Sequence, residues 1–142
     1  MKKLNFPDFQ FKIKKENNNN VIFDEIRKKW IVLTPEEWVR QNFIKYLISK
    51  KYPKSLINCE KSFYINRVLK RYDIVVYDLN GKVNILVECK SPNINIIKEH
   101  FDQVMRYNIE LKSEIIIVTN GLNHFYFKLD KNKNQYIQEK DL

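Results

Sequence analysis

The segment RYDIVVYDLNGKVNILVECK, residues 71–90, alternates hydrophobic and polar positions in two successive runs. This period of two predicts two β-strands, and the Asn80-Gly81 dipeptide between them is the strongest short-range signal for a hairpin. With Asn80 and Gly81 at the centre of the turn, Leu79 is predicted to face Lys82. The register of every other pair in the hairpin follows from that one.

The rest of the chain carries patterns for two helices and several strands. Thr34-Pro35-Glu36-Glu37 is typical of a helix start, with Thr34 as the N-cap and Glu37 completing a capping box. We expect this helix to end near Ser49, before Pro53, and a second helix to span residues 97–111. The other predicted strands are residues 9–14, 21–23, 55–65, 115–119 and 123–129, with residues 16–20 as a polar loop and 24–33 ambiguous. This order predicts an α/β fold, a mixed β-sheet flanked by helices.

The chain has 142 residues, enough for one globular domain with its own core. Residues 1–33 are predicted to form an N-terminal extension and residues 34–142 the principal domain. No apolar run approaches the roughly 20 residues that span a bilayer. The N-terminus, MKKLNFPDFQFKIKK, lacks the apolar core of a signal peptide. We therefore expect a cytoplasmic protein with no membrane partner.

The net charge of +9 and the pI near 9.5 favour a polyanionic partner, most simply nucleic acid. A lysine- and asparagine-rich genome would give the same excess, so the charge supports this interpretation without establishing it. Cys59 and Cys89 are not spaced as a metal motif, and a buried free thiol explains Cys89. His100 and His124 have no partners at zinc-site spacing, so zinc is not expected.

The hairpin register gives the sequence its clearest chemical prediction. Asp73 is placed directly opposite Glu88, with Cβ atoms roughly 5 Å apart, and Lys90 points to the same face. Like charges in this position destabilise a hairpin, which indicates a cation between them. Two interpretations remain open: a divalent-metal site with a lysine helper, or a salt-bridge cluster in which Arg71 faces Lys90.

These residues also carry a family resemblance. Asp73 followed by Glu88-Cys89-Lys90 resembles D…E-x-K, the core of the PD-(D/E)XK nucleases, and Gln103 to Tyr107 resembles their accessory Q-x-x-x-Y motif. Over roughly residues 34–129 the chain resembles the N-terminal nuclease domain of type I restriction enzyme R subunits. The segments that carry this are TPEEWVRQNFIKYLI, KRYDIVVYD, LVECKSP, FDQVMRYN and IIIVTNG.

The resemblance implies a restriction-endonuclease-like core and Mg²⁺- or Mn²⁺-dependent hydrolysis of DNA phosphodiester bonds, in restriction or defence. Asp73, Glu88 and the backbone carbonyl of Cys89 would bind the metal. Lys90 would orient or deprotonate the water, or stabilise the transition state. R subunits continue into a helicase motor that this sequence does not contain, so a separate motor or specificity protein is an expected partner.

Two further elements are predicted to support the site. Relatives place an acidic residue on the first helix, followed four residues later by an arginine, and Glu36 and Arg40 fit this spacing. Helical geometry puts Glu36 within the apolar stripe of that helix, although an ion pair with Arg40 would also explain it. Gln103 and Tyr107 share a helical face and would support the lysine or contact DNA. Ordinary helix surface is the alternative.

The predicted DNA-binding residues are Arg40, Arg71, Arg106 and Asn120. A turn role alone would account for Asn120. A non-catalytic DNA- or protein-binding module with the same fold is the rival function, and an RNA nuclease is a third. One such domain cuts one strand, so double-strand cleavage would favour a homodimer.

Overall fold

The computed structural model describes residues 1–142 as two β-sheets and two α-helices. A three-stranded antiparallel sheet, formed by the first three strands along the chain, precedes a six-stranded sheet in which the other six strands lie side by side in chain order. The elements are β1 Ile13–Glu16, β2 Asn19–Asp24, β3 Lys29–Val32, α1 Pro35–Ser49, β4 Ile57–Ile65, β5 Val68–Tyr77, β6 Val83–Cys89, α2 Lys98–Leu111, β7 Ile115–Thr119, β8 His124–Asp130 and β9 Gln135–Glu139, with a 3₁₀ turn at Lys54–Leu56.

The large sheet is mixed, because β6 and β7 are parallel and all its other neighbouring strands are antiparallel. The helix α2 makes the crossover between the two parallel strands, as a parallel connection requires. The predicted fold, a restriction-endonuclease-like mixed sheet with helices and an N-terminal extension, is confirmed. Neither helix is long and apolar enough to cross a membrane.

The first helix begins where the sequence predicted, but its predicted capping box is only half formed. The Glu37 N–H donates to Thr34 Oγ1 at 3.0 Å, so Thr34 is the N-cap. The Thr34 N–H donates instead to the Val32 carbonyl. The Glu37 carboxylate is therefore free to accept hydrogen bonds from Arg27 and Arg40.

The core lies between α1 and one face of the large sheet. Phe43 and Leu47 on α1 are fully buried against Ile74 of β5 and Val87 of β6. Alternate residues of the same strands, such as Leu86, face the opposite side and pack with residues of α2. Burial on both faces is the reason that these strands are rich in β-branched residues.

The β5–β6 hairpin has the predicted register in its body but not at its tip. The turn runs from Asp78 to Lys82, whose carbonyl accepts the Asp78 N–H at 2.8 Å. Leu79 is thus not paired with Lys82 and is 91% exposed. An irregularity after Val76 absorbs one residue, so that the body pairs Ile74 with Val87 as predicted. The prediction of the turn was wrong, and that of the strand body was right.

The first 33 residues pack onto the rest of the chain. Leu4 lies in the same core cluster as Val39 of α1, and the Trp38 indole N–H donates to the Lys2 carbonyl at 2.9 Å. The predicted strand over residues 9–14 begins only at Ile13, while β3 and β9 were not predicted. The division at residue 33 stays a prediction, because both parts contribute to one core.

Candidate active site

Asp73 lies where β5 leaves β6, and its carboxylate joins two elements. The last β5–β6 pair is Ile74 with Val87. One residue beyond it, Asp73 Oδ2 accepts the backbone N–H of Cys89 at 2.8 Å, while Oδ1 accepts Arg40 Nη2 at 2.6 Å. The side chain thus replaces a ladder hydrogen bond, so Asp73 is held at the junction of β5, β6 and α1.

Four predicted catalytic residues meet in one cavity of about 100 Å³ on the α2 side of the sheet. Glu88 and Lys90 enter it from the end of β6, and Gln103 and Tyr107 enter it from α2. The spacing of E-x-K on a strand and Q-x-x-x-Y on a helix therefore brings the two motifs together. The remaining lining residues are Lys70, Arg71, Tyr72, His100, Val104 and Val118.

The carboxylates of this region repel one another. Burial raises the pKa of Glu88 well above its ordinary value, and Asp73 raises it further, while Lys90 opposes the shift. Burial and then Asp73 likewise raise the pKa of Glu36, against Arg40 and Lys90. An additional cation here would relieve this repulsion.

Arg40 is the centre of this acidic group. Its Nη2 lies 2.6 Å from Asp73 Oδ1, 3.1 Å from Glu36 Oε1 and 3.0 Å from Glu60 Oε1, and its Nη1 lies 2.7 Å from Glu37 Oε1. Burial opposes its charge, but Asp73 and Glu37 raise its pKa above the ordinary value. Arg40 is only 6% exposed. The DNA contact by Arg40 stays a prediction, and the structure buries this charge among acids.

A second layer links Arg40 to the N-terminal sheet. Arg27 Nη2 donates to Glu37 Oε2 at 2.8 Å, and Arg27 Nε donates to Asp24 Oδ2 at 2.6 Å. Gln41 Nε2 also donates to Asp24 Oδ2, at 2.9 Å. The sequence offered no signal for this chain of contacts, since residues 24–33 showed no clear period. The hydrogen bond from Arg27 holds the Glu37 carboxylate in place, and Glu37 in turn orients Arg40.

The buried acid of α1 is not the one that the sequence indicated. Glu37 is 4% exposed, whereas the Glu36 side chain is 45% exposed. The placement of Glu36 within the apolar stripe was wrong. Glu36 nevertheless lies near Asp73 and Lys90, whose charges shift its pKa.

Two other predicted DNA contacts have different surroundings. Arg71 Nε pairs with Glu60 Oε2 at 2.6 Å. The salt-bridge cluster in which Arg71 was expected to face Lys90 therefore does not form in the predicted way. Glu60 itself was missed, because its partners come from other elements. Arg106 is exposed on α2 and contacts the Asp102 carbonyl of its own helix.

The Asn120 side chain is hydrogen-bonded within its own turn and to the loop that contains Ile94. Its Oδ1 accepts the N–H groups of Leu122 and Asn123, and its Nδ2 donates to the Ile94 carbonyl at 2.9 Å. It is 2% exposed, and both polar atoms of the side chain have protein partners: Oδ1 holds the turn and Nδ2 joins it to Ile94. The DNA contact by Asn120 stays a prediction, and the turn role that the sequence offered as its alternative is present.

Tyr72 extends the cavity beyond the sequence prediction, and it lies there with the predicted Tyr107. The Tyr72 hydroxyl is buried and has no hydrogen-bond partner; burial, and then Glu88, raise its pKa. Lys70 Nζ lies 4.4 Å from the centre of the Tyr107 ring and lowers the pKa of that phenol. Tyr72 breaks the strand alternation, because it packs on the α2 side together with Val75.

The oxygen donors fit a hard divalent cation. Magnesium is commonly bound by one or two carboxylates, with waters and substrate phosphates completing its octahedron. Asp73 and Glu88 supply two such groups at adjacent strand ends. No group of three or more His, Cys, Asp or Glu side chains is arranged to hold a metal by itself. The donor set therefore suits Mg²⁺ held together with substrate better than a closed protein cage.

The chain has a restriction-endonuclease-like α/β domain. Its sheet contains the β5–β6 hairpin and a crossover through α2, and polar residues gather where β5 and β6 separate. Residues 35–142 match the family described as Type I restriction enzyme R protein N terminus (HSDR_N), and the chain belongs to that family. No curated protein matches the chain. The family indicates a restriction-related nuclease and an interaction with DNA and other subunits.

Proposed function

We propose that the domain is a Mg²⁺-dependent endonuclease that hydrolyses DNA phosphodiester bonds in restriction or defence. The observation that carries this proposal is the convergence of Glu88, Lys90, Gln103 and Tyr107 in one cavity. Asp73 does not line the cavity but is close enough to Glu88 to raise its pKa. Mn²⁺ would substitute for Mg²⁺, since both take oxygen ligands.

Each polar group has a separate task in this proposal. Asp73 and Glu88 hold the ion, with the Cys89 carbonyl as the proposed third ligand. The bound ion would activate a water and stabilise charge on the phosphoryl oxygens. Lys90 forms no ion pair within 4.0 Å. Its ammonium is thus available to orient the attacking water or stabilise the transition state.

One contact favours the rival function, a non-catalytic module that binds DNA or a protein. Arg40 already neutralises Asp73 through a 2.6 Å contact, and a site built only to hold a fold would look the same. The two functions differ in metal affinity. Isothermal titration with Mg²⁺ or Mn²⁺ should show binding that Asp73→Asn and Glu88→Gln each weaken. The rival predicts no metal binding.

The direct test is a cleavage assay on duplex, single-stranded and supercoiled DNA, and on RNA of the same sequence. We expect cleavage of DNA with Mg²⁺ or Mn²⁺ and none with EDTA. Lys82→Ala is the matched control for Lys90→Ala, because Lys82 is an exposed lysine of the same hairpin. Preferential cutting of RNA would overturn the DNA assignment, and no cutting of either would support the rival module or a requirement for a separate motor or specificity protein.

A further inference from the structure

The outer part of the β4–β5 hairpin extends beyond the rest of the sheet. β5 pairs with β6 only from Ile74 to Tyr77, whereas its ladder with β4 continues to the pair Ile65–Val68. Residues 61–72 therefore form a two-stranded ribbon without a third strand, called the β-ribbon below. Asn66 and Arg67 close it with positive φ angles of 51° and 66°, as the tight turn of a twisted hairpin requires.

All the charged residues of the β-ribbon are basic. The sequence KSFYINRVLKRY contains four basic residues and no acidic one. Arg67 lies at the tip, and Lys61 is exposed on β4. A segment of this length with a single sign of charge attracts a polyanion and disfavours another basic surface.

The β-ribbon also exposes large apolar side chains. Tyr64 is 76% exposed and its cross-strand partner Leu69 is 54% exposed. A neighbouring strand residue, Val68, is 52% exposed. An exposed apolar pair flanked by basic residues is suited to a ligand with both phosphates and apolar base surfaces.

The base of the β-ribbon adjoins the candidate active site. Lys70, Arg71 and Tyr72 line the cavity that contains Glu88 and Lys90. Asp73 follows directly in the sequence. A nucleic acid bound along the β-ribbon would thus carry its backbone past the carboxylates.

We propose that the β-ribbon binds duplex DNA by entering the major groove beside the phosphate to be cut. This inference rests on the proposed function and names the element that holds the substrate. The B-form major groove is about 12 Å wide and admits a two-stranded ribbon. The A-form groove of duplex RNA is too narrow for side chains to read. Lys61 and Arg67 contact phosphates, and Tyr64 and Leu69 contact base edges.

The test measures affinity of the full chain for a labelled DNA duplex across a salt series, by fluorescence anisotropy with EDTA present. Lys61→Ala/Arg67→Ala should weaken binding about tenfold and lower the salt slope by about 1.8, since each phosphate contact contributes about 0.9. Tyr64→Ala should weaken binding without changing the slope, because an apolar contact releases no counterion. Lys131→Ala/Lys133→Ala removes the same charge from the exposed β8–β9 turn and should bind like wild type.

The outcomes separate this inference from the nuclease proposal. Equal losses in the two double variants, or equal affinity of wild type for duplex DNA and duplex RNA, would overturn the β-ribbon assignment. Binding to single-stranded DNA or to a protein instead of duplex DNA would also overturn it. Binding that depends on the β-ribbon in a protein that cuts no DNA would support the assignment and count against the nuclease.

Discussion

Arg40 Nη2 lies 2.6 Å from Asp73 Oδ1 and joins α1 to the strand end that carries the candidate metal ligand. The same guanidinium contacts Glu36, Glu37 and Glu60. The positive charge of Arg40 thus reduces the repulsion among four carboxylates that are partly shielded from solvent. We infer that Arg40 is a positioning residue, which holds Asp73 at the site rather than contacting DNA.

Replacing Arg40 with Ala should lower the free energy of unfolding by about 3–5 kcal/mol, because the buried Glu37 and the partly buried Asp73 lose their shared partner. Urea unfolding would measure this. Arg106→Ala removes an exposed arginine of α2 and should change the stability by less than about 0.5 kcal/mol. Similar unfolding curves for both variants would show that Arg40 does not support the acidic group.

Arg27→Ala should also destabilise the protein, although Arg27 lies outside the matched residues 35–142. The substitution removes hydrogen bonds to Asp24 and Glu37, and about 1–3 kcal/mol should be lost. Lys29→Ala, an exposed neighbour, serves as the control. An Arg27 variant as stable as wild type would mean that the N-terminal sheet does not brace the site.

The raised pKa of Glu88 makes opposite predictions for stability and metal binding. The metal-free folded state holds the proton of Glu88 more tightly than the unfolded chain does. The contribution of Glu88 to the free energy of unfolding is therefore fully present below its ordinary pKa of 4.5. It is lost as the pH rises through the higher pKa of the folded state. Mg²⁺ affinity should increase over the same range, because the ion needs the carboxylate.

Urea unfolding with EDTA, and Mg²⁺ titration, should be compared across this pH range for wild type and Glu88→Gln. The variant should lose the Glu88 part of the pH dependence of stability. It should also bind Mg²⁺ more weakly than wild type above the folded pKa of Glu88, where the wild-type side chain is a carboxylate, and about as weakly below it. An unchanged pH profile in the variant would show that another group titrates.

Tyr72→Phe should leave stability unchanged or raise it by up to about 1 kcal/mol, because the buried hydroxyl has no protein partner. If that hydroxyl faces substrate in the cavity, cleavage by the variant should fall while its Tm is maintained. Thermal melting and cleavage assays on the same preparation would measure both. A Tm well below that of wild type would reveal a structural hydrogen bond.

The sequence predicted the body of the β5–β6 hairpin correctly, because the alternation of hydrophobic and polar residues is visible in short segments of the chain. The burial of Ile74 and Val87 fixes their register whatever the turn does. The tip was wrong because Asp78 caps its own turn: its carboxylate accepts the N–H groups of Asn80 and Lys82. A side-chain competitor of this kind outweighs the general preference of Asn-Gly for a two-residue turn.

The contacts across elements could not be predicted in the same way. Arg40 was expected at a DNA surface because helical spacing says nothing about Glu60, which approaches from β4. The Tyr72 alternation break likewise depends on the loss of the β6 ladder beyond Ile74. Motif residues that share one element, such as Gln103 and Tyr107, were placed correctly because their spacing alone sets their common face.

The Lys90→Ala variant gives the most direct test of the nuclease proposal. Its cleavage of duplex DNA with Mg²⁺ should be about 10²- to 10³-fold slower than that of wild type, as for other lost charge-stabilising groups. Its DNA affinity should be nearly unchanged, because the chain keeps 25 of its 26 lysines and arginines. Lys82→Ala should cut like wild type. A Lys90→Ala protein that melts earlier but cuts DNA at the wild-type rate would contradict the proposal.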